Sequence, residues 1–269
     1  MTEATQGAKK LKITCIQMDA KIGCPEENYA HAEELIVKAC ESNPDVVVLP
    51  EGWKNLGPLN DKLAEFSSHD GDTVKQLFGG LAKKYNVNIV AGTVPDMHGG
   101  NIYNTAFVFD RTGACVATYD KTHLCFPGEA RRFAEGDSLC SFMMEGVKCG
   151  ILTCNDLRFP EATRTLALDG IELLFVPSAW PDSTLFRLRV LVAARAIENQ
   201  MFVVNCNACW ATQTKVNGGE STIVDAFGRT LAVAGTKEEL ISAVCDMQMV
   251  ATIRDAGQSF LERRRPDVY

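Results

Sequence analysis

The segment 45–49, DVVVL, constrains the fold more than any other. A short continuous apolar run is the mark of a strand buried on both faces of a sheet. It stops at Pro50-Glu51-Gly52. Before it, residues 11–17 alternate in the manner of a strand, with Leu11, Ile13 and Cys15 on one side. Pro25 then precedes a helix predicted over 26–42, with Ala32, Leu35, Ile36 and Ala39 on one face. After it, Asp72 or Thr73 is placed to cap a second helix, in which Val74, Leu77, Phe78, Leu81 and Tyr85 recur at helical spacing. Strands are predicted at 87–94 and 102–110, turning at 97–100, and then at 115–119, 139–144 and 147–153. Residues 122–138 read as a loop, broken by Pro127, Gly128 and Gly136. A helix over 160–168 and a strand over 171–176 follow. Residues 185–199 are apolar almost all round, which predicts a buried helix. Further strands at 201–205, 222–225, 230–234 and 240–245 and a last helix over 248–255 complete the chain. This order predicts a layered α/β fold, with hairpins and β-α-β crossovers in a single domain over 1–269 and a flexible lead-in over 1–9.

Charge and cysteine usage narrow the function. The formal net charge of −7 argues against a polyanionic partner, so neither nucleic acid nor an anionic membrane face is expected. The one basic cluster, Arg263-Arg264-Arg265, is too short to change that. The polar N-terminus MTEATQGAKK lacks the apolar core of a secretory signal, and no apolar run approaches the length of a membrane span. Eleven scattered cysteines without an export signal imply a reducing compartment, so the cytoplasm is the expected location.

Three residues stand out because each follows the end of a predicted buried strand: Glu51 after VVVLP, Lys121 after VATYD, and Cys154 after GILT. Strand ends of α/β folds are where ligand sites form. An acid, a base and a thiol meeting there make a covalent catalyst. Cys154 also has polar flanks and sits just before a helix start, where backbone N–H groups lower a thiol pKa and face a developing oxyanion. A cysteine–histidine mechanism needs a histidine beside Cys154. His123 is the one near a proposed site residue, two positions from Lys121 and so on its face along an extended chain. Cys206 and Cys209 form a lone C-x-x-C without further ligands at zinc spacing, so no metal is expected. No dinucleotide fingerprint or P-loop is present, and no cofactor is expected.

Seven motifs in fixed order carry a resemblance: LPEGW (49–53), YDKTHL (119–124), GEARRFAEGD (128–137), ILTCNDLRFPE (151–161), VPSAWP (176–181), ARAIEN (194–199) and GESTIVDAFG (220–228). Together they resemble the nitrilase superfamily of carbon–nitrogen hydrolases, from about Lys12 to Tyr269. The resemblance implies a four-layer α-β-β-α sandwich that pairs through its helices into a homodimer or higher homo-oligomer. It implies a Glu-Lys-Cys triad on Glu51, Lys121 and Cys154, joined by Glu129 from the loop after the lysine. Glu51 would take the thiol proton, Lys121 and the Asn155 backbone N–H would hold the oxyanion, and a thioester would form and be hydrolysed. Asn155 stands where many relatives carry Tyr or Glu, which bears on pocket shape. Only seven residues separate Lys121 from Glu129, and so compact a loop suggests a small substrate.

The stretch Lys121, His123, Leu124, Gly128, Glu129, Phe133 and Gly136 resembles the ω-amidase-like branch, whose substrates are monoamides of dicarboxylic 2-oxo acids such as 2-oxoglutaramate. A substrate carboxylate needs a cation, and Arg131, Arg132, Arg158 and Arg187 are the candidates, with Trp180 as a pocket wall. Cys154-Asn155-Asp156-Leu157-Arg158 is also reminiscent of N-carbamoyl amine or amino-acid amidohydrolases, which release carbon dioxide as well. A binding module on the same scaffold is the non-enzyme alternative. The presence of all three triad residues argues against it.

Overall fold

The computed structural model describes residues 9–57, 62–211 and 216–268. The expected lead-in over 1–9 lies, except for Lys9, outside them. The strands are β1 (Lys10–Gln17), β2 (Val46–Val48), β3 (Ser68–His69), β4 (Asn88–His98), β5 (Asn101–Phe109), β6 (Cys115–Asp120), β7 (Cys140–Met144), β8 (Val147–Ile151), β9 (Leu173–Ser178), β10 (Phe202–Asn207), β11 (Thr222–Val224), β12 (Thr230–Val233) and β13 (Glu239–Asp246). The helices are α1 (Pro25–Cys40), α2 (Leu63–Phe66), α3 (Asp72–Tyr85), α4 (Pro160–Leu168), α5 (Leu185–Asn199) and α6 (Gln248–Ile253).

The strands form two sheets. One runs β13-β1-β2-β4-β5-β6, with β3 paired to β4, and the other runs β12-β11-β10-β9-β8-β7. The DVVVL segment shows why they stack. Val46 and Val48 face the second sheet, in one apolar cluster with Ile151 and Val204, while Val47 packs outward with Phe78 of α3 and Leu35 and Ile36 of α1. On β5, Ala106 and Val108 face inward and Phe107 and Phe109 outward. The far side of the second sheet is covered by α4 and α5 through Ala162, Leu166, Leu188 and Val192. The result is the four-layer α-β-β-α sandwich implied by the resemblance. A chain of edge contacts, Tyr29 to Trp53 at 4.9 Å and Trp53 to Phe78 at 5.4 Å, ties both outer helices to the turn that follows β2.

Two local expectations differ. Neither Asp72 nor Thr73 caps α3. The cap position is Gly71, at φ 69°, and the Asp72 carboxylate accepts from the His69 N–H ahead of the helix and the Thr73 N–H in its first turn. α5 has the expected bounds but is not buried all round. Phe186, Val190 and Ile197 are exposed along one stripe, at helical spacing. Of the C-x-x-C pair, Cys206 is buried between the sheets, with its Sγ 3.2 Å from Ile16 O and Val48 O, and Cys209 is half-buried beyond the strand.

An ion array pins the end of β4 to β6. His98 Nδ1 is 3.0 Å from Asp96 Oδ2 and its Nε2 is 3.0 Å from Asp120 Oδ2. Partial burial lowers the His98 pKa, but the charges and hydrogen bonds of Asp120 and Asp96 outweigh it and leave the value raised. A raised value means the contribution is fully present below the ordinary pKa of about 6.5 and is lost as pH rises through the folded value. The thermal midpoint of His98→Gln should therefore lie below that of the parent at pH 5.5, and the gap should narrow toward pH 9. A gap that widens with pH would contradict the assignment.

Candidate active site

Glu51 is delivered by a turn held from the neighbouring strand. The Leu49 N–H donates to Val90 O at 2.9 Å, Thr93 N–H to Pro50 O at 3.3 Å, and Gly52 N–H to Thr93 O at 3.1 Å. β4 is bulged between Val90 and Thr93, with Gly92 at φ 64°. A Cβ on Gly92 would sit 2.0 Å from Pro50 O, so only glycine lets the turn lie this close. Trp53 is buried just after it, and its indole N–H donates to Ala91 O at 2.7 Å.

Lys121 leaves β6 with its backbone N–H donating to Asn104 O at 3.0 Å. Its side chain is fully buried, and Nζ donates to Glu51 Oε1 and Glu129 Oε2, each at 2.7 Å. Burial alone would pull the ammonium pKa down. The charges of Glu51, Cys154 and Glu129 outweigh burial and hold it well above the usual lysine value. Asn104 Nδ2 donates to the same two carboxylates, at 3.0 Å to Glu51 and 3.3 Å to Glu129. The Ala179 N–H donates to Glu51 Oε2 at 2.9 Å and the Cys125 N–H to Glu129 Oε2 at 2.7 Å. Glu129 itself sits in the short turn Glu129–Arg131.

Cys154 follows β8 and opens the 3-10 turn Cys154–Arg158. Its φ of 47° is left-handed, a conformation that costs an L residue about 1–2 kcal/mol. Asp156, fully buried, holds this turn against the chain that follows Lys121. Its carboxylate accepts from Thr153 N–H at 2.7 Å, His123 N–H at 2.9 Å and the Tyr119 hydroxyl at 2.7 Å.

Glu51, Lys121, Glu129, Cys154, Asn155 and Trp180 all line one cleft of ≈ 780 Å³. Its cations are Lys54, Lys121, Arg132 and Arg158, against the carboxylates Glu51 and Glu129. Three of those cations have neutral hydrogen-bond partners. Lys54 Nζ donates to Phe66 O, Arg132 Nε to Gly128 O at 3.3 Å, and Arg158 Nε to Asn155 Oδ1 at 2.9 Å. Arg158 also lies over the Trp180 ring, 4.3 Å from its centroid.

Not every sequence candidate reaches the cleft. Arg131 is exposed and outside its wall, because the Glu129–Arg131 turn directs Glu129 inward and leaves Arg131 in solvent. Arg187 lies over Phe186 on α5 instead. His123 is not on the Lys121 face. The chain bends after β6, and the imidazole stacks on Phe159 at 3.9 Å with Nδ1 2.9 Å from Asp156 Oδ1. Two positioning groups, Asn104 and Asp156, are absent from the sequence candidates. The one signal for Asn104 is a lone amide ahead of the apolar run Ala106–Phe109. Among the described residues, no group of three or more His, Cys, Asp or Glu is arranged to hold a metal ion, and no helix is long and apolar enough to cross a membrane.

A cysteine, a buried ammonium and two carboxylates in one cleft can form and hydrolyse an acyl-enzyme. Comparisons agree with that chemistry. The profile of the carbon–nitrogen hydrolase family matches residues 12–255. The chain is similar to a 2-oxoglutaramate amidase of Bacillus subtilis (strain 168), 36% identical over 97% of this chain and all of that one. It is similar to Omega-amidase NIT2 of Danio rerio, 30% identical over 97% of this chain and 96% of that one. The crystal structure of Saccharomyces cerevisiae Nit3, described as a member of branch 10 of the nitrilase superfamily, superposes with a TM-score of 0.86 at 28% identity, covering 94% of this chain and 97% of that one. With its sandwich, its motifs and these relatives in agreement, the chain belongs to the carbon–nitrogen hydrolase family of the nitrilase superfamily.

Proposed function

We propose that this single hydrolase domain is an amidase that releases ammonia from the monoamide of a dicarboxylic 2-oxo acid, with 2-oxoglutaramate the best match, through a thioester on Cys154. One observation carries the substrate class. The chain is acidic overall, yet its cleft is lined by four cations and two carboxylates, and among the described residues three of those cations have neutral hydrogen-bond partners. An anionic tail on the substrate is the natural complement. The names of the relatives, 2-oxoglutaramate amidase and Omega-amidase, support the same class.

The reaction needs only groups in the cleft. Glu51 takes the Cys154 proton as sulfur attacks the amide carbon. Lys121 and the backbone N–H of Asn155 stabilise the oxyanion, the largest catalytic contribution in such sites. The C–N bond breaks as the nitrogen takes the proton back from Glu51 and leaves as ammonia. Glu51 then takes a proton from water, hydroxide attacks the thioester, the C–S bond breaks and the sulfur regains its proton. Glu129 holds Lys121 from the other side. Arg158, stacked on Trp180 and oriented by Asn155, binds the distal carboxylate, with Arg132 rather than Arg131 as the second cation of the cleft wall.

We also propose a homodimer or higher homo-oligomer, formed across the α5 face, where Phe186, Val190 and Ile197 would otherwise stay in water. Eleven free cysteines fit a reducing, cytoplasmic setting.

Three measurements test this reading. Purified protein should release ammonia from 2-oxoglutaramate and succinamate, and Cys154→Ala should release none. Release only from carbamoyl compounds, with carbon dioxide, would replace the substrate class, and an active Cys154→Ala would remove the nucleophile. Arg158→Ala should raise KM for succinamate about 10- to 100-fold while leaving a neutral amide such as butyramide nearly unchanged; equal losses on both would exclude a carboxylate contact. In sedimentation the parent should run as a dimer or larger, and Phe186→Asp with Val190→Asp as a monomer. A monomeric parent would refute the interface.

A further inference from the structure

We infer that Asn104 is a positioning residue, one amide that aims Glu51 and Glu129 at Lys121, supports the charge of Glu51, and thereby sets the acid limb of the activity–pH profile. The inference rests on the proposed role of Glu51 as proton acceptor. It starts from an account of the four carboxylate oxygens. Glu51 Oε1 accepts from Lys121 at 2.7 Å and Asn104 at 3.0 Å, and its Oε2 from the Ala179 N–H at 2.9 Å. Glu129 Oε2 accepts from Lys121 at 2.7 Å and the Cys125 N–H at 2.7 Å, and its Oε1 from Asn104 at 3.3 Å. Asn104 thus joins Lys121 in touching both acids.

The backbone doubles the arrangement. Asn104 O accepts the Lys121 N–H at 3.0 Å, so one residue fixes both the root of the lysine and the two groups at its tip. Asn104 is 5% exposed, which makes its two hydrogen bonds expensive to lose. The chemistry explains why an amide is needed. Two carboxylates sharing one ammonium repel each other, which raises the cost of keeping Glu51 charged as pH falls. A neutral donor between them stabilises the Glu51 carboxylate without adding charge. A second cation there would make Glu51 too weak a base, and a carboxylate would add a third negative charge.

The charged and titratable groups around Asn104 are few. In the cleft they are Glu51, Glu129, Lys121 and Cys154, with the cations Lys54, Arg132 and Arg158 on its walls and the Cys125 thiol on the adjoining loop. Behind it, where Thr105 donates to Asp120 at 2.6 Å, stands the Asp120–His98–Asp96 array. Asp120 and Asp96 are both hydrogen-bonded to His98.

The test measures kcat and KM for succinamate from pH 5 to 9 in Asn104→Ala, Asn104→Asp and Glu51→Gln, with thermal midpoints alongside. Asn104→Ala should lower kcat about 10- to 100-fold, change KM little, and move the acid limb up by about one pH unit. Asn104→Asp has the same shape, adds a third carboxylate and should move the limb further; it carries the test if the alanine variant unfolds. An acid limb that stays at the parent pH while kcat falls equally at every pH would reduce Asn104 to a structural role and overturn the inference. If Glu51→Gln is inactive in that case, the reading of Glu51 stands and only Asn104 is lost. An active Glu51→Gln with the parent limb would overturn both.

Discussion

A fully buried ammonium is tolerated only where opposite charge and hydrogen-bond acceptors meet it on the spot, and the fold around Lys121 is arranged to do this. Its two carboxylates come from distant parts of the chain, Glu51 beyond β2 and Glu129 in the turn after β6. The Ala179 N–H, beyond β9 in the other sheet, holds the remaining oxygen of Glu51. The ammonium can therefore be desolvated only after both sheets have stacked. β2, β4 and β6 run in one direction in the first sheet, as do β8, β9 and β10 in the second. Their carboxyl ends bring Glu51, Lys121 and Cys154 to one edge of the sandwich, as expected for sites at strand ends.

Rigidity around Lys121 and Cys154 is shared with residues that hold the chain on either side of them. Asp156 spends its buried charge on five donors, from Thr153, Tyr119, Thr122 and both N–H groups of His123, and so locks the Cys154 turn to the chain leaving Lys121. With the turn clamped, Cys154 stays in a left-handed conformation that a looser site would relax. The cleft walls are less constrained. Lys54, Arg132 and Arg158 rest on carbonyls, an amide and aromatic faces, which orient a positive charge without neutralising it.

The parts of the molecule legible from the sequence were those set by short-range pattern. Strand ends located Glu51, Lys121 and Cys154, and helical spacing found α3 and α4 close to their observed bounds. What failed was direction in space. Arg131 and Arg132 are neighbours in the chain, yet only Arg132 reaches the cleft. His123 was placed by assuming an extended chain where the chain in fact bends. The α5 pattern, apolar almost all round, gives no sign that one stripe lies in water. Gly92 lies against Pro50, 42 positions away (92 − 50), Asn104 pairs with Glu51 and Glu129, 53 and 25 positions away, and Asp156 pairs with Tyr119 and His123, 37 and 33 positions away; no local pattern carries such pairings.

The bulge at Gly92 gives the Glu51 turn an address on another strand. Loops elsewhere, such as the Gly99–Gly100 hairpin, can vary in length without changing that address. One residue added to β4 ahead of Gly92 would slide the bulge by about 3.3 Å, more than a hydrogen bond can stretch, and turn alternate side chains to the wrong face. The position of Glu51 therefore depends on the length of a strand that does not itself carry it. The chain can be remodelled at its edges, but along β4 its length is fixed by the bulge that seats the Glu51 turn.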